Sequence, residues 1–515
     1  MTIEGMDRRS FLRLAGVTGA GVALPSAIAA CGSSGTKSST PQVLRISQPV
    51  DASTMDPQKQ GSMTDVSVLQ NMFDFLTHRD EQDHLVPGLA TKWTATNPRT
   101  WRFELRKGVS FHNGEPFDAN AVKFSIERLL DPKTKSPIVE LRYVTGVKVI
   151  DDHTVDIVSS RPDPILPAKV SLFGGVMVPP RYIAKEGDDA FANKPVGTGA
   201  FKFVSWKRDN EIVMEPNPKW WGGAPKIKQL VIRPMPDPSS SLAALQSGEL
   251  QIVSGLTPDA AQQLGTSDAQ LVRHAGIRTY YLALDTLSDG PLKDKRVRQA
   301  LNYALDVNAL TQALYGGYAR PTATIVPQQA FGYDPSVKPY PHDPAKAKQL
   351  LSAAGFANGF STTITGQNTD SDTVQAIAGQ LQKAGIKAKA NLIDPGTFED
   401  RLLANHANGL GPIYYIGNTG WTEDAESNFQ SYVKPDRPQS RWHNAEASKL
   451  VDVEEKSVDP NKRKQAFSRL QQIVSEEAPF GFLYQVDNLY ATSKKVSWTP
   501  NSLGVLRMAK ATIKS

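Results

Sequence analysis

The chain of 515 residues has a single cysteine, Cys31. One thiol closes no internal disulfide and builds no cysteine-rich zinc or iron–sulfur site. The eight histidines are scattered, with no pair four apart on one predicted helix, so the zinc-helix pattern is missing and no metal ligand is assigned. Neither Gly-x-Ser-x-Gly nor His-Glu-x-x-His occurs. Ser34 and Lys37 have a Ser-Lys spacing, but they stand in a Gly/Ser run where no pocket forms. These absences point away from an enzyme and from any cofactor. There is also no block of like charge: 58 basic and 52 acidic residues are spread along the chain for a net charge of +6. That pattern argues against a nucleic-acid partner. The hydrophobic share of 40% with 38 Gly and 36 Pro is that of ordinary globular protein, which excludes collagen-like, coiled-coil and wholly disordered chains. The length suggests two to four domains.

What is present begins with an address. Asp7-Arg8-Arg9-Ser10-Phe11-Leu12 precedes an apolar stretch from Ala15 to Ala30, too short to span a bilayer comfortably as a permanent helix. The segment 1–30 therefore reads as an export signal, and its paired arginines resemble a twin-arginine signal. A general secretory signal is the alternative. Ile28-Ala29-Ala30-Cys31 resembles a bacterial lipobox, with Cys31 as the lipidated residue. Residues 31–41, rich in Gly, Ser and Thr, read as a tether. The expected location is the outer face of a membrane.

The rest alternates between strand and helix patterns. Trp101 to Arg106 alternates strictly and predicts a half-buried strand. Helices are predicted over Val66–Leu76, Ala119–Leu130, Ser239–Gly248, Asp294–Leu314, Pro344–Gly355, Thr373–Gly385 and Asn461–Ala478. Such mixing without strict alternation predicts an α/β class with more than one lobe.

Five blocks in order carry a resemblance. They are Gly88-Leu89-Ala90 through Trp101-x-Phe103-x-Leu105-Arg106 to Gly114; Gly197-Thr198-Gly199-x-Phe201 with Trp206 and Asn217-x-x-Trp220-Trp221; Leu242-x-x-Leu245-x-x-Gly248-Glu249; Arg296-Val297-Arg298-Gln299-Ala300-Leu301; and Gly420-Trp421-Thr422-Glu423-Asp424. Residues 42–515 thereby resemble the extracellular solute-binding proteins of the peptide/nickel family, the receptors of ABC importers. Most of these residues read equally well as core or turn positions. The resemblance implies a two-lobe, type II periplasmic-binding-protein-like fold with an inserted domain. Lobe I would comprise 42–73, 195–278 and 484–515, the inserted domain 74–194 and lobe II 279–483. Crossovers near Arg278-Thr279-Tyr280 and Tyr484-Gln485 would form a hinge.

The implied function is capture of a peptide in the interlobe cleft by a monomer that delivers it to a membrane permease. A non-peptide solute on the same scaffold, such as a glycoside, an opine-like conjugate or a metal chelate, is the alternative. A secreted hydrolase is a further one, without a nucleophile and base to support it. By the resemblance, Asp424 of Trp421-Thr422-Glu423-Asp424 would pair with the ligand's α-ammonium, with Trp421 and Thr422 beside it. Ser62 and Met63 would contact ligand from the other lobe, and Asn418 stands where some relatives carry a cation. The arginine that dipeptide binders place for the ligand carboxylate has no counterpart in Asn368-Thr369-Asp370-Ser371-Asp372.

Overall fold

The computed structural model describes residues 42–514 apart from 265–267, 405–408 and 438. The export-signal, lipobox and tether readings fall on residues outside that range.

The chain opens with β1 (Val43–Gln48), whose Leu44 and Ile46 are fully buried. A short helix follows at Met63–Leu69, capped by Ser62, whose hydroxyl accepts from the Asp65 amide. The helix expected to run to Leu76 ends here, and β2 (Thr77–Arg79) and β3 (Leu85–Pro87) form a hairpin. Next come β4 (Ala90–Asn97), β5 (Thr100–Leu105), β6 (Val144–Asp151) and β7 (Thr154–Ser159). They make a separate four-stranded antiparallel sheet in the order β4-β5-β7-β6. The helix Ala119–Leu130 packs on it through Ala121, Val122 and Ile126. Alternation places Phe103 and Leu105 of β5 in that core and leaves Glu104 outside.

The chain then returns to the first sheet with β8 (Phe201–Lys207), β9 (Glu211–Pro216), β10 (Gln229–Pro234) and β11 (Ile252–Val253). A long strand, β12 (Ala269–Leu284), leads into the second half. There β13 (Ala319–Pro321), β14 (Phe360–Gln367), β15 (Ile386–Ile393) and β16 (Ile413–Thr419) follow, and β17 (Phe480–Ser493) runs back. One eleven-stranded sheet results, in the order β15-β14-β16-β12-β17-β11-β1-β10-β9-β8, with β13 beside β17. The two long antiparallel strands β12 and β17 are thus the only strands of the described chain that run through both halves of that sheet.

Side-chain alternation on β12 builds two cores at once. Leu282 and Leu284 face one layer with the helices Lys295–Ala304, Pro344–Ala353 and Ser371–Lys383. Tyr281 and Ala283 face the other, with Pro395–Leu403, Ala445–Lys456 and Pro460–Glu477. A doubly covered sheet of this kind needs apolar residues on both faces. The expected long helix Asp294–Leu314 is two helices. Leu305 leaves helical geometry at ψ 119°, and Asp306 caps a new helix, Val307–Tyr315, through the Ala309 amide.

Candidate ligand cleft

β14 and β16 run parallel, and their carboxyl ends lie together at Gln367 and Asn418. Open α/β sheets leave a crevice at such ends, where backbone groups point outward and helices begin. A cavity of about 510 Å³ occupies this place, within the usual size of a small-molecule site. Its walls include Arg278, Tyr280, Gln367, Asp370, Tyr415, Asn418, Glu399 and Gln439.

Arg278 reaches the cavity from an irregular point of β12. Pairing with β17 jumps from Ala275↔Asp487 to Thr279↔Gln485, so Gly276, Ile277 and Arg278 stand opposite one residue. Such bulges bend a strand and re-aim its side chains. Amides satisfy the freed backbone: Gln485 Nε2 donates to the Gly276 carbonyl, and Gln329 Nε2 donates to the Ala275 carbonyl at 2.8 Å. The Arg278 guanidinium lies 5.2 Å from the Tyr280 ring centre, and Tyr280 stacks on Tyr415 at 5.4 Å and 12°. Glycine at position 417 on the neighbouring strand leaves room for the Arg278 and Tyr280 side chains. A Cβ there would sit 2.7 Å from Arg278 Nε and 2.6 Å from the Tyr280 ring. Arg278 is exposed, and among the described residues its guanidinium has no hydrogen-bond or ion-pair partner. Across the cavity the Asp370 carboxyl is pushed up by burial, against the pull of Arg278. The cavity thus offers a free cation, carboxyls, side-chain amides and aromatic rings.

Of the six ligand residues expected from the sequence, Asn418 alone lines this cavity. Asp424 is buried, and both its oxygens accept from Arg463, at 2.7 and 2.8 Å. A ligand ammonium would have to compete with a bidentate guanidinium already in place. Trp421 packs edge-on against Phe173 at 5.1 Å, in the first half of the chain. The Thr422 carbonyl accepts from Arg79. Glu423, with φ at 52°, sits 3.0 Å from Arg79 Nε and accepts from the Ser502 hydroxyl. Burial raises its pKa to about 7; Asp83 adds to the rise, while Arg79, Ser502 and His274 oppose it. The loop 421–424 therefore bridges to the hairpin β2–β3 and to the C-terminal segment. Ser62 serves as a helix cap, and Met63 packs partly buried against the first-half core. The segment before them is pinned by Arg128, which binds Asp56 at 2.7 Å, Gln58 at 2.6 Å and Asp188 at 2.8 Å.

Sequence reading passed over Arg278 as a cavity residue. The sequence carries the signal: the expected crossover falls at Arg278, and the arginine of dipeptide binders is missing from 368–372. Asn368–Asp370 directly follows β14, and Asp370 shares the cavity with Arg278.

A covered two-half sheet with a cavity at its strand ends defines a ligand-binding α/β protein. The model of the bacterial extracellular solute-binding proteins, family 5, middle region, matches residues 84–440, and the chain belongs to this family. It has the two-lobe, type II fold of the periplasmic binding proteins. The glutathione-binding protein GsiB of Pectobacterium atrosepticum is 28% identical over 516 residues, 96% of each chain. HbpA2 from Haemophilus parasuis superposes with a TM-score of 0.84 at 22% identity, over 92% of this chain and 100% of its own. The periplasmic binding protein DppA from Helicobacter pylori, in complex with the peptide STSA, gives 0.73 at 25% identity, over 92% and 98%.

Proposed function

We propose that the chain is the receptor of an ABC importer and that it binds a peptide-like solute at the cavity of Arg278 and Asn418. The observation that carries this reading is the unpartnered Arg278 guanidinium among amide side chains at the strand ends. A peptide offers such a site a carboxylate and a row of amides. Two relatives bind ligands of that chemistry, glutathione and a short peptide, by their names. Asp424, expected to clamp the ligand amine, is read here as structural, because Arg463 already holds it. Asp370, the buried-side carboxyl of the cavity, takes its place as partner of a cationic end.

The domain division is proposed as lobe I (42–73, 195–278, 484–515), an inserted domain (74–194) and lobe II (279–483), with the hinge at the β12–β17 crossing. The reading is supported by the position of the bulge between Ala275 and Thr279. Export by the arginine-pair signal, lipidation of Cys31 and a monomeric state belong to the same proposal. They rest on the sequence of residues 1–41 and on the extracellular family.

Titration calorimetry with glutathione, tri-alanine and tri-alanine amide tests the ligand class. A charged hydrogen bond is worth about 1.5–3 kcal/mol. Arg278→Gln should therefore weaken an acid-terminated ligand by roughly 10- to 150-fold. It should leave the amide unaffected. Equal binding by wild type and Arg278→Gln overturns the assignment of Arg278. Mass spectrometry of a co-purifying solute without peptide bonds overturns the peptide reading. Ligand addition should also shrink the radius of gyration in small-angle scattering, and an unchanged radius with binding shown argues against a hinge.

A further inference from the structure

Gln42 stands at one end of the large sheet, just before β1, and the described residues around it are basic. β10 runs parallel to β1 with Val43 opposite Gln229, and the Lys228 amide donates to the Gln42 carbonyl at 3.0 Å. Lys226 and Lys228 are exposed on either side of the buried Ile227. On the other flank, Gln251 donates to the Arg45 carbonyl and Ser493 donates to the Gln251 carbonyl. The end of β17 therefore lies level with the start of β1, and Lys494 and Lys495 follow it, both exposed. The Lys514 amide donates to the Lys495 carbonyl at 2.8 Å, which brings exposed Lys514 to the same place. Three strand spacings, about 14 Å, separate β10 from β17. The acidic groups of this end are Asp268, whose carbonyl accepts from the Lys494 amide, Glu215 on β9, and Glu249, which pairs with Arg233.

We propose that this lysine face, carried by Lys226, Lys228, Lys495 and Lys514, rests on an anionic membrane surface. The proposal goes beyond ligand capture and rests on the reading of Cys31 as the lipid site. Gln42 follows Cys31 by eleven positions in the chain. Even fully extended, a chain of that length reaches only about 40 Å. The face from which it emerges is thus the one kept nearest the headgroups. Lysines within a Debye length of such a surface, about 8–10 Å, are attracted to it. The lipid supplies retention; the lysines would fix which end of the body is turned to the membrane.

The test uses the exported chain carrying Cys31→Ser, so that no lipid contributes, in co-sedimentation with vesicles. Vesicles of phosphatidylcholine with about 40% phosphatidylglycerol should bind it, pure phosphatidylcholine should not, and added salt should release it. Each lysine near an anionic surface is worth about fivefold. The quadruple variant Lys226→Gln, Lys228→Gln, Lys495→Gln and Lys514→Gln should therefore weaken binding on the order of a few hundredfold. A control set on the far part of the second half, Lys348→Gln, Lys383→Gln, Lys387→Gln and Lys389→Gln, should bind like wild type. Equal losses in the two sets, or equal binding to both vesicle types, would overturn the proposal. Retention in vivo of Cys31→Ser would instead count against the lipid reading alone.

Discussion

Asp74 in the first half and Asp424 in the second are both buried carboxylates, and they are satisfied in opposite ways. Asp74 has donors to spare. It accepts from Trp221 Nε1 at 2.7 Å, Trp220 Nε1 at 3.1 Å and Thr198 Oγ1 at 3.2 Å, with His78 at 3.4 Å. Burial opposes its charge, but His78, Trp221 and Arg507 outweigh burial and hold it below the ordinary carboxylate range. Asp424 is held by one guanidinium and the Glu426 amide, and other acids crowd the same guanidinium. Glu454 lies 3.4 Å from Arg463 Nη2, and Glu426 and Asp163 stand close by with Lys169 as the second cation. Burial and this crowding push Glu426 up to about 7 and Glu454 well above its usual value. The lesson is that redundancy of donors keeps a buried acid ionised, whereas a surplus of acids over cations stores protons.

The largest consequence falls on the cation. Arg463→Ala removes both guanidinium bonds to Asp424, leaving a buried charge with only the Glu426 amide on one oxygen, which costs about 3–5 kcal/mol of stability. Asp74→Asn removes a charge but leaves an amide among several donors, and about 1–2 kcal/mol is expected. Urea unfolding measures both. Equal losses would break the comparison. Ligand affinity, normalised to folded protein, should change little in Arg463→Ala, since the cavity of Arg278 is separate.

That outcome bears on how far the sequence can be read. The two-lobe architecture was legible because motif order and alternation survive at low identity: Phe103 and Leu105 on β5 read as core and are buried. The loop 421–424 reads in the sequence as a clamp for a ligand amine, and the structure sets Asp424 against Arg463. Arg463 lies 39 residues after Asp424, on the helix Pro460–Glu477, whose charged residues give no sign that one of them is turned inward. Arg278 is one of 58 basic residues, and only the bulge in β12 and the space left by Gly417 single it out. Pairing across sheet register is not written in local spacing.

The pH dependence should show the same opposition, with an effect on the order of 2–3 kcal/mol per group. Glu423 and Glu426 rise from 4.5 to about 7, chiefly by burial. The folded state then holds protons that the unfolded chain has lost, so their contribution to stability falls as pH rises from about 4.5 to 7. His78 and His112 drop from 6.5 to about 4, again chiefly by burial. They bind protons only in the unfolded chain between those values, so their contribution rises with pH from about 4 to 6.5. The slopes of these four groups oppose one another between pH 4.5 and 6.5. Glu423→Gln with Glu426→Gln should expose the histidine slope, and stability should then climb with pH across that window. A flat profile in the double variant would show that the two sets do not oppose one another.

The smallest effects separate redundancy from surplus most finely. Thr198→Val deletes one of several donors to Asp74. The carboxylate keeps both indole donors and His78, so the loss should be about 1 kcal/mol, near that of an ordinary hydrogen bond. Glu454→Gln deletes an acid where acids are already in excess. Its Oε1 is buried without a partner, and its Oε2 makes only the 3.4 Å contact to Arg463. A neutral amide of the same shape spares the cost of keeping an ionisable carboxyl in this buried place, so stability should stay level or rise by up to about 1 kcal/mol. The two substitutions are similar in size and differ only in whether a donor or an acid is lost. Opposite signs in chemical denaturation at pH 7 would sharpen the comparison. A loss above about 2 kcal/mol for Glu454→Gln would mean that Arg463 needs this second carboxylate, and the cluster would then be balanced rather than acid-rich.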